Sequence, residues 1–309
     1  MFISQLKDKI LTYDKYGEHR TNGLKILFVL QFLFLFNYIY GVNNPYFYFF
    51  YVPLTAFTAE IIGSTLEEKY LFLFCTITGC ALSIFLFGLF SVYKLFFVFF
   101  VFFYSLFLYY LVIHHLRKML ALVPLILSLA VYSLIYENAD SNLYIALNHV
   151  LEVLVAMGLI FMGLYLFPKR YYFVIWQRAF LEVLSKLEFL SEEISQENVQ
   201  TIPIFPGIIV MNKYSKMLPR SINYYSVLKI TLLSFELIMS LSYLLSFRKK
   251  IKTAYIQLFT RYIKLLLEAC KRKKTVLLGS QDHRLLTQSY ELKTLRRLIL
   301  SWNYLCTDL

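Results

Sequence analysis

Residues 70–113, YLFLFCTITGCALSIFLFGLFSVYKLFFVFFVFFYSLFLYYLVI, decide the fold. The 44 residues hold one charge, Lys94, and are about twice the roughly 20 apolar residues that a helix needs to cross a bilayer. Gly88, Ser91 and Lys94 interrupt the run near its middle. It therefore reads as two membrane helices joined by a tight hairpin.

Working toward the N-terminus, Gly63, Ser64, Glu67, Glu68 and Lys69 close an apolar run at 46–62, and the turn cluster Gly41, Asn43, Asn44 and Pro45 separates it from a first run at 24–40. Toward the C-terminus, His114, His115, Arg117 and Lys118 precede a run at 119–135, and a polar stretch at 137–142 precedes a last run at 144–167, which stops at Pro168, Lys169 and Arg170. Six spans follow. The predicted fold is all-α: a cytoplasmic N-terminal segment (1–23), a six-helix transmembrane bundle (24–167) and a cytoplasmic helical domain (168–309).

Composition agrees with membrane residence, because 59% of the chain is hydrophobic against roughly 45–50% in an average soluble domain. Aromatic residues make up 19%, a share discounted here because Phe, Tyr, Ile, Lys and Asn all use AT-rich codons. The net charge of +12 is carried mainly after Pro168. Lys and Arg near helix ends favour the cytoplasm. One set of loops holds Lys7, Lys9, Lys15, Arg20, Lys69, Arg117, Lys118, Lys169 and Arg170, the other only Lys94, so both termini are expected inside, in a bacterial inner membrane. Lys7, Asp8, Lys9, Asp14, Lys15, Glu18 and Arg20 precede the first apolar run. That is unlike a cleaved signal peptide, and the first span is expected to persist. Cys75 and Cys80 lie in apolar runs and read as small buried hydrophobes rather than a disulfide framework.

In the C-terminal third, Trp176, Phe180, Val183, Leu187, Leu190 and Ile194 follow Phe173 at helical spacing, a stripe suited to a helical bundle or a dimer interface. Pro203, Pro206, Gly207 and Pro219 break the pattern, and helices are expected again over 221–274 and 284–305. The stretch 222–247 is long enough to span and holds only Lys229 and Glu236 as charges. Crossing would put the basic residues after Arg248 outside, so it reads as an amphipathic cytoplasmic helix. The cluster Lys271, Arg272, Lys273 and Lys274 suits lipid headgroups or solvent better than nucleic acid in a membrane protein.

A charge within a span is costly, by roughly 2.5–3.5 kcal/mol on insertion scales, unless it faces a cavity or a partner. The polar candidates are Gln31, Glu60, Thr76, His149 and Glu152. For Glu60 and Glu152, helix-to-helix hydrogen bonding and a substrate or proton pathway both fit. His149 lies close to the outer end of its span, where a solvated ring is expected. The aromatic run from Phe96 to Phe107 covers every face of its helix, as lipid-facing bulk does. There is no metal-spaced His/Cys/Asp cluster, phosphate loop or nucleophile elbow, so neither enzyme chemistry, nor a metal, nor a cofactor is expected.

Several short motifs together resemble the fusaric acid resistance (FUSC) and aromatic acid exporter proteins, whose fold is similar to the aluminium-activated malate channels of plants. Pro45 and Tyr46, with Phe47 in a Trp place, look like the start of that family's second span, and Gly63, Thr65 and Leu66 like its Gly-Ala-Thr-Leu turn. Thr76 and Gly79 match a Gly-Thr-x-x-Gly run, and Glu152, Phe167 and Pro168 an Arg-x-x-Glu followed by Phe-Pro. The resemblance covers roughly 20–189. This chain departs from the family pattern at Phe72 and His149, where arginines are common, and at Cys75, where glycine is. His149 replaces a fixed cation only when protonated. The resemblance implies a half-size transporter or efflux protein for small organic, including aromatic, anions, acting as a homodimer. The alternative is a membrane-anchored scaffold or regulatory protein without transport activity.

Overall fold

The computed structural model describes residues 13–41, 66–116, 120–135, 143–195, 205–219, 224–246 and 253–307. Among them every regular element is an α-helix: α1 Glu18–Tyr40, α2 Leu66–Phe90, α3 Lys94–His115, α4 Leu122–Ile135, α5 Leu143–Leu166, α6 Arg170–Ser195, α7 Phe205–Ser215, α8 Tyr224–Ser246, α9 Thr253–Arg272, α10 Ser280–Leu285 and α11 Tyr290–Thr307. The expected span at 46–62 lies outside the described residues.

The helices form two compact units, one of residues 19–168 and one of 1–18 with 169–309. The second boundary falls at Pro168, where the last apolar run meets Lys169 and Arg170. The N-terminal residues differ from the expectation of a separate segment, because Tyr16 and its neighbours join the C-terminal unit. Residues 19–168 hold 6 Lys or Arg and 6 Asp or Glu, whereas 169–309 hold 22 and 10. The whole net charge therefore belongs to the C-terminal helices.

The long apolar run breaks into α2 and α3 at Ser91–Tyr93. Ser91 N–H donates to the Phe87 carbonyl and Tyr93 N–H to that of Phe90, while Ser91 Oγ donates to the Gly88 carbonyl. These bonds satisfy groups that a helix end leaves open. α2 is the central helix, packed on α3, α4 and α5. Glycine permits the close approach: a Cβ on Gly79 would lie 2.4 Å from Ile126 Cδ1 of α4, and one on Gly88 2.3 Å from Ala146 Cβ of α5. Phe72, Cys80 and Phe87 of α2, Leu129 of α4, and Val153, Ala156 and Ile160 of α5 form the core. Outward, α1 and α3 expose Leu27, Phe34, Phe99, Phe102 and Phe103, an apolar surface larger than soluble monomers tolerate.

By length and composition Glu18–Tyr40, Glu67–Phe90, Lys94–His115 and Leu143–Leu166 can each cross a membrane, and so can Tyr224–Leu244 of α8. With 14 residues, α4 is about 21 Å long, short of the roughly 30 Å hydrocarbon core. The protein is membrane-integral, on the strength of several such helices. α8 packs within the C-terminal unit on α6, α7 and α11, burying Val227, Ile230, Leu237 and Leu241 and exposing Tyr225, Leu232, Met239 and Tyr243.

The stripe on α6 is spent inside its own unit. Phe173, Trp176, Phe180, Val183, Leu187, Leu190 and Ile194 are all buried against α7, α8 and α9, with Phe180 also against Trp302 of α11. It is not an open dimer face. The helix expected at 284–305 is instead two, α10 and α11. The Ser289 hydroxyl accepts the Leu292 N–H and starts α11 as a side-chain cap.

Candidate functional site

α2 runs antiparallel to α5. Tyr70, near the start of α2, packs on Phe161 and Tyr165, near the end of α5, whereas Gly88 meets Ala146 at the opposite end. Down the buried face of α2, polar side chains recur every seven residues at Lys69, Thr76 and Ser83. Seven residues are nearly two helical turns, so the three share a stripe facing the neighbouring helices. Lys69 is only 4% exposed. Thr76 Oγ1 donates to the Phe72 carbonyl at 2.8 Å, and Ser83 Oγ pairs with the Tyr104 hydroxyl of α3 at 2.8 Å.

A second buried cation stands at the same end. Lys25 of α1 is 3% exposed, with Nζ 5.5 Å from the centre of the Phe167 ring, a cation–π geometry. Toward the other end, His149 of α5 is buried at 1% exposure. Its Nδ1 lies 3.0 Å from the Ser133 carbonyl and 3.1 Å from Ser133 Oγ on α4. A carbonyl only accepts, so the partners assign the proton to Nδ1, and in the neutral ring Nε2 is then the lone-pair nitrogen. Half-buried Glu152 follows three residues later, one turn along α5.

The expected site residues thus separate. Thr76, His149 and Glu152 lie on the packed helices α2 and α5. His149 is not solvated as expected, because it shares the buried face of α5 with Ala146, Val153, Ala156 and Ile160; its helical face, rather than its depth, sets its exposure. Gln31 is exposed on α1, off the face that buries Lys25, Val29 and Leu33, and stands apart from the others. Glu60 lies outside the described residues. Sequence reasoning missed Lys25 and Lys69 as interior groups, having read Lys69 as a loop cation. The seven-residue register of Lys69 with Thr76 was the available signal.

In the C-terminal unit the charged centre is Glu182 of α6. Its Oε1 meets Lys15 and Lys186, each at 2.7 Å. Burial alone would raise its pKa, but hydrogen bonds from Lys15, Lys186 and Tyr16 outweigh that and hold the carboxyl below its usual range. Tyr16 is pushed up, by burial first and then by its bond to Glu182. Arg178 donates to the Tyr16 carbonyl at 3.3 Å, and Lys213 of α7 meets Glu18 at 3.1 Å. Residues 15–18 are thereby clamped onto α6 and α7. Among the described residues, no group of three or more His, Cys, Asp or Glu side chains is arranged to hold a metal.

Comparison with known proteins returns no match, whether to a family model, a curated protein or a solved structure.

Proposed function

We propose that the protein is a transporter or efflux protein for small organic anions, including aromatic acids, and that it makes and breaks no covalent bond. The observation that carries this reading is the pair of buried lysines, Lys25 and Lys69, at one end of a bundle whose central helix continues inward with Thr76 and Ser83. Interior cations in a membrane bundle mark ion and substrate pathways. They supply the positive charge that Phe72 and His149 do not. The FUSC-like motifs point to the same substrate class.

On this reading both termini lie on the cytoplasmic side of a bacterial inner membrane. The clamping of Lys15, Tyr16 and Glu18 onto α6 and α7 supports a shared side of the bilayer for the chain's start and its C-terminal helices, and the lysine-rich loops support the inside. α8 is assigned to the cytoplasmic domain, where its Glu236 accepts hydrogen bonds from Tyr290 and Thr294 of α11. A homodimer is retained, with the exposed apolar side of α8 at Tyr225, Leu232, Met239 and Tyr243 as the face available for it.

Flux of benzoate in proteoliposomes tests the activity. The parent should exceed empty vesicles, Lys69→Gln and Lys25→Gln should each lose most of that flux with normal reconstitution, and Glu152→Gln should change its pH dependence. Parent flux no greater than that of empty vesicles, or unchanged flux in both lysine variants, would favour the anchored scaffold instead. Single-cysteine labelling tests topology: positions 43 and 140 should react from outside, and 169 and 280 should not.

A further inference from the structure

α11 buries Leu292, Leu295, Ile299 and Trp302, and this turns Lys293, Arg296, Arg297 and Leu300 outward at i, i+3, i+4 and i+7. With Thr287 they line a cavity of about 230 Å³. Three cations on adjacent turns repel one another, yet none of them forms an ion pair among the described residues. The nearby carboxylates are engaged elsewhere: Glu236 accepts from Tyr290 and Thr294, and Glu291 from Tyr255. The Thr287 hydroxyl gives its proton to the Arg284 carbonyl, so donation into the cavity falls to the three cations.

The deciding detail is Arg296 Nε, which is buried and has no hydrogen-bond partner. A buried guanidinium N–H without an acceptor is costly, and an anion held by this guanidinium offsets that cost. Guanidinium forks with an ammonium beside them match the several oxygens and double charge of a phosphate better than a single carboxylate. The cavity is smaller than the roughly 300–1,000 Å³ of drug-sized sites. It suits one phosphate and the carbons esterified to it.

We propose that Lys293, Arg296 and Arg297 form a binding site for a phosphate monoester. Two sources carry that group, the headgroup of an acidic phospholipid and a free phosphate compound. The lipid is favoured by the apolar surface alongside. Leu300 lines the cavity and is exposed, and α11 also anchors the segment at and after the end of α9 that carries the basic run Lys271 to Lys274 and Leu277. The Trp302 indole donates to the Lys274 carbonyl, and Asn303 bonds both backbone groups of Val276. Leu277 is left 93% exposed. Basic side chains beside exposed leucines are a lipid-facing combination. This site is independent of the transport reading, and its test contains no flux measurement.

The test is calorimetric titration of the full-length, delipidated protein in an uncharged detergent with dioctanoyl phosphatidic acid, dioctanoyl phosphatidylcholine and inorganic phosphate. Saturable binding of phosphatidic acid and none of phosphatidylcholine is expected. The double variant Arg296→Gln/Arg297→Gln should bind about tenfold or more weakly, as expected for the loss of charge-assisted hydrogen bonds. The matching lysine pair should fall between, keeping charge without the fork. Lys293→Gln, at the exposed rim, carries the test where the double variant fails to fold. Inorganic phosphate binding as well as phosphatidic acid identifies a free compound as the source, and much weaker phosphate binding identifies the lipid. No saturable binding of either, equal binding of phosphatidylcholine, or undiminished binding in the folded variants overturns the proposal.

Discussion

The two units of this protein differ in how often their polar side chains bond from one element to another. In residues 19–168 most hydroxyls turn back on their own helix: Thr76 to Phe72, Thr78 to Phe74, Ser105 to Val101 and Ser128 to Leu125. Ser83 with Tyr104 and His149 with Ser133 bond from helix to helix. In the C-terminal unit hydroxyls such as those of Ser191, Ser234 and Ser301 also turn back on their own helix, but further bonds run between elements: Trp176 to Thr231, Tyr262 to Asp282, Thr260 to Ser191, and Asn303 to Val276. The outer surfaces are reversed as well, apolar on the first unit and basic on the second. With the first unit in lipid and the second in water, as proposed above, the solvent accounts for the difference. Lipid offers no partner to a stray hydroxyl, so a local bond within the helix is safest. Water competes for every polar group, and a cross-link between helices then contributes specificity.

The largest test of this contrast removes Trp302, which is fully buried against Phe180. Trp302→Ala should cost about 3–5 kcal/mol, and only in the C-terminal unit. The chain's two tryptophans are Trp176 and Trp302, so emission from Trp176 during urea titration reports on that unit alone. Membrane integration should be unchanged; failure to integrate would mean that the units do not fold separately.

Next comes a matched pair of surface substitutions. Phe102 is 59% exposed on α3 and Tyr304 60% exposed on α11. Arginine at 102 should cost about 2.5–3.5 kcal/mol of insertion, read as protein lost from carbonate-washed membranes. Arginine at 304 should stay within about 0.5 kcal/mol in the urea titration. Equal costs would remove the claim that two solvents surround the two units.

The Glu182 centre predicts a pH dependence. Its carboxyl is held below the usual range, so its stabilising contribution is present above the unfolded carboxylate pKa and is lost as pH falls through the folded value. Glu182→Gln should flatten that acid limb, by at most about 1 kcal/mol because Lys15 is solvent-exposed. Protease protection of residues 13–18 as pH is lowered gives the readout. A limb unchanged by the substitution would show that these ion pairs do not hold the segment.

The smallest effect is expected inside the bilayer. Tyr104→Phe breaks the bond to Ser83 and should cost about 0.6 kcal/mol, by mild-detergent unfolding. Asn303→Ala strands two backbone groups of Val276 and should cost about 1–3 kcal/mol. A larger loss at Tyr104 than at Asn303 would reverse the ranking of bonds between elements in the two units.

The sequence by itself determined the helical class, the hairpin near Ser91 and the separation of an apolar part from a basic one. These depend on local hydropathy, glycine placement and charge, which need no partner to be read. It also marked Thr76, His149 and Glu152 as polar groups within apolar runs. Tertiary structure decided which face each helix turns inward. It brought Lys25 and Lys69 inside, sent Gln31 outward, buried His149 against Ser133, and covered the α6 stripe with helices of the same chain. Period and composition give a helix its faces, but which face is buried depends on neighbours distant in sequence. The cavity of Lys293, Arg296 and Arg297 was hidden for the same reason: three cations on one helix look like a solvated surface until packing of the opposite face holds them together.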